Sequence, residues 1–244
     1  MAALLEGAAV GATNRFSCAQ SVIAIESHIV TALFSLSGIR FRDVFAIESM
    51  AISPSAITVV QGASGCGKTT LLRLLNRMSR SDSGTIRFHD DALDTIDPVA
   101  LRRKVVMLPQ SPVLFSHSVR DEVVAGCRFA GMEEPTEERI NAALEAVRLD
   151  KALPDDPTPF SGGEKQRLAL ARVMLMEPEV LLLDEPSAGL DAETEEAVFA
   201  VIRSRRDAGS SVVLASHSGN LAALGPVDRW LFRDGRVIPA REVQ

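Results

Sequence analysis

An α/β fold built on a parallel sheet is what this sequence predicts, and three observations predict it. Short apolar runs alternate with amphipathic segments, a glycine-rich stretch links one such run to a helical pattern, and no repeat or low-complexity block breaks the order. The 244 residues fit one large domain, or one domain carrying a subdomain. Hydrophobic residues make up 46% and charged residues 24%, which excludes disordered, collagenous and coiled-coil chains.

Buried strands are expected at Ile57–Gln61 (ITVVQ), Val105–Leu108 (VVML), Val180–Asp184 (VLLLD) and Ser211–Ser216 (SVVLAS). Each is a nearly unbroken apolar run of strand length, as a strand covered on both faces requires. Helical spacing marks 69–78, 136–147, 162–176 and 194–208. Near the end, FRDGRVI places an Asp-Gly pair between apolar runs and predicts a hairpin turn at Asp234 and Gly235, so an antiparallel piece joins the parallel sheet. Between about 111 and 160 no run resembles a buried strand, and LPDDPTPF closes the stretch with three prolines. This stretch is read as a helical subdomain inserted into a main body spanning 34–238. Residues 1–33 are rich in Ala and Ser, carry no motif, and are expected to form a poorly packed extension; 239–244 form a tail.

A net charge of -6 argues against a protein that holds nucleic acid by bulk electrostatics, so no nucleic-acid partner is expected. Cys18, Cys66 and Cys127 are an odd number at spacings that fit neither a disulfide framework nor a metal knuckle, which points to a reducing, cytosolic setting. The first forty residues are interrupted by Glu6, Arg15, Glu26, His28 and Arg40, so neither a membrane span nor a signal peptide is expected.

The most specific feature is GASGCGKTT at 62–70, which fits G-x-x-x-x-G-K-[ST] between a strand-like run and a helical pattern. The residue types suit phosphate. Gly62, Gly65 and Gly67 let the backbone wrap phosphate oxygens, and the N–H groups of Ala63, Ser64 and Cys66 point inward with those of the helix start. Lys68 reaches the outer phosphates, while Thr69, followed by Thr70, places a hydroxyl for Mg2+. The motif makes the chain a candidate P-loop NTPase that binds a nucleotide with Mg2+, and by itself leaves kinases, G proteins, helicases and transport ATPases open.

Two further motifs narrow the class: SGGEKQR from Ser161, and VLLLDEP, which ends in the adjacent carboxylates Asp184 and Glu185. In this order and spacing the sequence resembles the ATP-binding cassette (ABC) ATPases, over roughly 34–238. The resemblance implies a RecA-like parallel-sheet core, with Asp184 as a ligand of Mg2+ and Glu185 as the catalytic base. It gives Gln110, after VVML and Pro109, the role of contacting Mg2+ and the attacking water. His217, in LASHS, resembles the switch histidine that meets the γ-phosphate. SAGLD resembles the loop that crosses the dimer interface, with Asp191 its most telling residue. For adenine, the chain has no tyrosine; Phe41 is the expected stacking residue and Phe45 the alternative.

SGGEK also has a physical reading of its own: Ser161, Gly162 and Gly163 open a helical pattern and make a second anion-binding terminus. The resemblance implies a head-to-tail homodimer in which these residues close over ATP held by the other copy. Glu164 stands where the family's usual residue is Gln, exchanging an amide donor for a carboxylate that only accepts. The function implied is the ATPase subunit of an ABC transporter, working through separate integral membrane permease subunits from the cytoplasmic face of the membrane. The competing reading is a soluble ABC ATPase of the iron-sulfur scaffold-loading type. Val113, Leu114 and Phe115 are expected to be exposed and to supply apolar contact to the permease.

Overall fold

The computed structural model describes residues 32–217 and 221–242. In chain order the strands are β1 (Phe34–Phe41), β2 (Phe45–Ile52), β3 (Ile57–Gln61), β4 (Ser83–Phe88), β5 (Asp91–Ala92), β6 (Val105–Leu108), β7 (Val180–Asp184), β8 (Ser211–Ser216), β9 (Asp228–Arg233) and β10 (Arg236–Pro239). The helices are α1 (Lys68–Leu75), α2 (Pro98–Lys104), α3 (Val119–Ala130), α4 (Glu137–Ala146), α5 (Gly162–Leu175) and α6 (Ala192–Asp207). All ten strands form one sheet in the order β5-β4-β1-β2-β10-β9-β3-β8-β7-β6.

The parallel half, β3-β8-β7-β6, contains the four strands expected from the sequence. Its strands are continuous apolar runs because both faces are covered. Leu181 and Leu183 of β7 face a cluster built with α3, α4, α5 and α6, whereas Val180 and Leu182 face a second cluster that includes Leu71, Leu72 and Leu75 of α1. Each fully buried leucine contributes about 2 kcal/mol. Burial on two faces thus fixes both the strand and its alternation of sides.

The antiparallel half is larger than the hairpin alone. β1 pairs with β2 and with β4, and β4 with β5, all antiparallel. The hairpin turns at Asp234 (φ 50°) and Gly235 (φ 71°), left-handed at both central positions as a type I′ turn requires. Its first strand, β9, joins β3 in parallel, and its second, β10, meets β2 at the single register pair Arg236 and Ala46. The hairpin thus bridges β3 and β2, through four register pairs on the β3 side and, on the β2 side, this pair with the Ala46 N–H donated to the Gly235 carbonyl at 2.8 Å. Gly84 (φ +89°) lies against Gly38 where β1 and β4 shift register: a Cβ on Gly84 would sit 2.5 Å from the Gly38 carbonyl carbon and oxygen.

The stretch read as a helical insertion holds α3 and α4, which pack on α5. Ser118 caps α3 by accepting from the Asp121 N–H, and Thr136 caps α4 by accepting from Arg139. The expectation for 1–33 lies outside the described residues except at its end. There Leu33 is buried and donates its N–H to the Ile52 carbonyl at 2.8 Å, so it belongs to the body of the fold. Among the described residues no helix is long and apolar enough to cross a membrane.

Candidate functional site

Parallel strands deliver their carboxyl ends to one edge, and there the candidate residues gather. In register, Gln61 of β3 pairs with Ser216 of β8, and Asp184 of β7 with Ala215 of β8. The loop 62–67, His217 and the Asp184–Glu185 pair therefore leave adjacent strands side by side.

Gly67 ends the loop at φ 112°, a conformation that strains any other residue, and α1 starts immediately after it. A Cβ there would also meet the Phe45 ring at 2.6 Å. Lys68 is buried, and its ammonium donates to the carbonyls of Gly62 at 2.8 Å and Ala63 at 3.0 Å. It lies 3.7 Å from a Glu185 carboxylate oxygen. Ala63, Ser64 and Gly65 are exposed, while Cys66, Thr69 and Thr70 are half-buried. Cys66 and Cys127 are free thiols, and burial pushes the Cys127 thiol above its usual value; Cys18 lies outside the described residues.

Thr69 donates its hydroxyl to Asp184 Oδ2 at 2.6 Å. Burial raises the Asp184 carboxyl above the ordinary range, the Thr69 hydrogen bond opposes this, and the neighbouring Glu185 charge adds to it. A hydroxyl and a carboxylate converging on one point form a hard oxygen set suited to Mg2+, which characteristically takes one or two protein oxygens and completes its shell from phosphate and water. No group of three or more His, Cys, Asp and Glu gathers among the described residues.

Two successive strand residues normally face opposite ways. Glu185 escapes this by adopting φ 52°, with its N–H bound to the Ala215 carbonyl at 3.0 Å. Its carboxylate consequently turns back to the cradle, one oxygen toward Lys68 and the other hydrogen-bonded to His217 Nδ1. His217 is otherwise exposed. Lys68, Glu185 and His217 form a continuous line, with Thr69 and Asp184 beside it. Gln110 is exposed two residues beyond β6, on the same sheet edge.

The second helix terminus is built as a capping box. Ser161 Oγ accepts from the Glu164 N–H at 3.2 Å, and Glu164 Oε2 accepts from the Ser161 N–H at 2.8 Å. The other Glu164 oxygen meets the Lys151 ammonium at 2.7 Å. Lys151, then its cap partner, hold the Glu164 carboxyl at about 2, well below the usual 4.5. Gly162 has open space around it, whereas a Cβ on Gly163 would touch Leu190 at 3.2 Å. Gly189 (φ +73°) supplies the turn before Leu190. Asp191 caps α6 by accepting from the Thr194 N–H at 2.9 Å. Ser187, Gly189 and Leu190 join Glu185 and His217 in lining a pocket of about 220 Å³.

Of the two aromatic candidates, Phe45 is buried, wedged between Phe41, Phe232 and Gly67. Phe41 is half-buried, stacks on Phe45 at 5.8 Å, and carries the Arg42 guanidinium 5.3 Å from its ring centre. Of the two, only Phe41 is partly exposed.

Farther along, an apolar groove of about 420 Å³ opens between α2 and α3. Val113 (61% exposed), Phe115 (56%) and Phe129 (67%) line its mouth. Leu114 departs from expectation: it is half-buried and packs inward on the helical-side cluster. An extended segment alternates its side chains, so the middle of three apolar residues turns in when its neighbours turn out. Sequence reasoning missed what holds this segment. Glu122 is fully buried and pairs with Arg172, while its Oε2 accepts from the N–H groups of Phe115 at 2.7 Å and Ser116 at 3.0 Å. Burial lowers the Arg172 guanidinium from its usual value and the Glu122 charge opposes the shift.

The sequence matches the ABC transporter family over residues 47–188. It is 38% identical over 200 residues to a probable anion import ATP-binding protein of Haloferax volcanii, covering 74% of this chain and 69% of that one. It is 39% identical over 214 residues to the phosphate import ATP-binding protein PstB 2 of Mycobacterium tuberculosis, covering 82% and 77%. Among solved structures it is similar to cbiO1 of Clostridium perfringens, part of the ABC transporter complex cbiONQ, with a TM-score of 0.72, 28% identity, and 85% and 87% of the two chains covered. Cradle, paired carboxylates and capped second terminus, set on this sheet, agree with that match: the chain belongs to the ABC transporter family, as an ATP-binding and ATP-hydrolysing subunit.

Proposed function

We propose that two copies of this chain sandwich two Mg-ATP molecules and use closure and hydrolysis to drive separate membrane subunits. The observation that carries the reading is the line Lys68–Glu185–His217 beside Thr69 and Asp184. The N–H groups of 62–67 and the start of α1 hold the phosphates, with Lys68 leaving its loop carbonyls for the outer phosphate oxygens. Thr69 and Asp184 hold Mg2+, which when bound neutralises developing charge on the phosphates. Glu185 takes a proton from the attacking water and His217 orients the carboxylate and meets the γ-phosphate. Gln110 contacts the metal and the water, and Phe41 stacks on adenine.

The capped terminus at Ser161, Gly162, Gly163 and Glu164, with Asp191, completes the site of the opposite copy. The groove at Val113, Phe115 and Phe129 receives an integral membrane permease at the cytoplasmic face; its exposed apolar rim supports that reading.

The test is small-angle scattering of the Glu185→Gln variant with Mg-ATP. A compact dimer is expected, and Lys68→Ala should remove it together with nucleotide binding. Monomers at saturating nucleotide would overturn the sandwich.

A further inference from the structure

Helix α5 grips the segment around Gln110 at two points. Gln166 donates Nε2 to the Pro109 carbonyl at 3.3 Å, and Arg172, less than two turns farther along, donates Nη1 to the Val113 carbonyl at 3.2 Å. Both residues are only 7% exposed. Arg172 also stacks over the Phe115 ring, 4.8 Å from its centre, and its partner Glu122 accepts from the backbone N–H groups of Phe115 and Ser116. Gln110 thus lies on a short span fastened at both ends to the helix that begins after Ser161.

The chemistry of Gln166 indicates why the fold keeps it. Its Oε1 is buried without a hydrogen-bond partner among the described residues, while its Nε2 bonds the Pro109 carbonyl. A buried acceptor left unmade is a cost that Leu or Met would avoid, and such local violations concentrate where function requires them.

We propose that Gln166 and the Arg172–Glu122 pair are positioning residues for Gln110, fixing it to α5 so that Gln110 and Ser161 move as one body. This rests on the reading of Gln110 given above. Displacing a group that orients the attacking water lowers turnover without altering ground-state binding.

The experiment is steady-state ATPase of the full chain with Gln166→Met, Gln110→Ala and the double variant. Gln166→Met should lower kcat about tenfold, leave KM for Mg-ATP within about twofold, and leave the unfolding midpoint unchanged or higher. In the Gln110→Ala background Gln166→Met should have no further effect, because it acts through Gln110. Additive losses, or a KM change that accounts for the whole effect, overturn the proposal. Should Gln166→Met not fold, Arg172→Lys takes its place: it keeps the charge against Glu122, loses the fork that reaches Val113, and should show the same dependence on Gln110. If Gln110→Ala alone leaves kcat unchanged, the reading of Gln110 is what fails, and the positioning role falls with it.

Discussion

Truncating Glu122 tests whether one buried ion pair organises the apolar groove. In the native fold its two oxygens serve Arg172 and the N–H groups of Phe115 and Ser116. Glu122→Ala leaves a buried guanidinium with the Val113 carbonyl as its remaining acceptor and two amides without theirs. Breaking a buried pair from one side costs about 3–5 kcal/mol. The amides add less, because Phe115 and Ser116 are near enough to solvent for water to replace the carboxylate. For a chain of this size each kcal/mol lowers the unfolding midpoint by about 2–4 °C, so the expected drop is roughly 6–20 °C. Urea unfolding should show the same loss at unchanged m-value. Glu122→Met combined with Arg172→Met should recover most of it, since replacing both members with apolar side chains removes the uncompensated charge. A Glu122→Ala loss below about 1 kcal/mol, or a double variant as unstable as the sum of its parts, would refute the reasoning.

Two further outcomes follow from local geometry. Glu164 is held at about 2 in the folded chain, below the usual 4.5, so its contribution exists above pH 4.5 and is lost as pH falls toward 2. The gap between wild type and Glu164→Ala should be about 1 kcal/mol at pH 7, steady to pH 5, and gone near pH 2 in chemical denaturation; a gap that widens on acidification contradicts the capping assignment. Gly84→Ala combines a left-handed backbone with a 2.5 Å approach to Gly38, and should cost at least about 3 kcal/mol in the same assay. A loss under 1 kcal/mol would mean the β1–β4 register shift is not held by these two glycines.

What could be read directly in the sequence has a physical pattern. The four parallel strands were legible because burial on both faces makes them unbroken apolar runs. β1 and β2 were not, since each is interrupted on its exposed side: Ser37 and Gly38 in one, Glu48 and Ser49 in the other. α2 did carry a signal, Asp97 before Pro98, and Asp97 indeed caps it by accepting from Val99 at 3.0 Å and Ala100 at 2.8 Å. The cradle and the paired carboxylates are contiguous in the chain, so their chemistry could be named from residue types. Glu122 and Arg172 stand fifty residues apart, and Lys151 is separated from Glu164 by the proline-rich stretch, so only folding brings these pairs together. Leu114 was misjudged for a different reason: three consecutive apolar residues do not reveal which of them turns inward.

The left-handed backbone at Glu185 sets chemistry and folding at odds. An ordinary side chain held there costs roughly 1–2 kcal/mol, a cost glycine would not incur. Drift that favoured only a sturdier protein would therefore tend to erase the carboxylate and, with it, turnover. Ageing copies of such a chain, freed from their task, should lose activity before they lose shape.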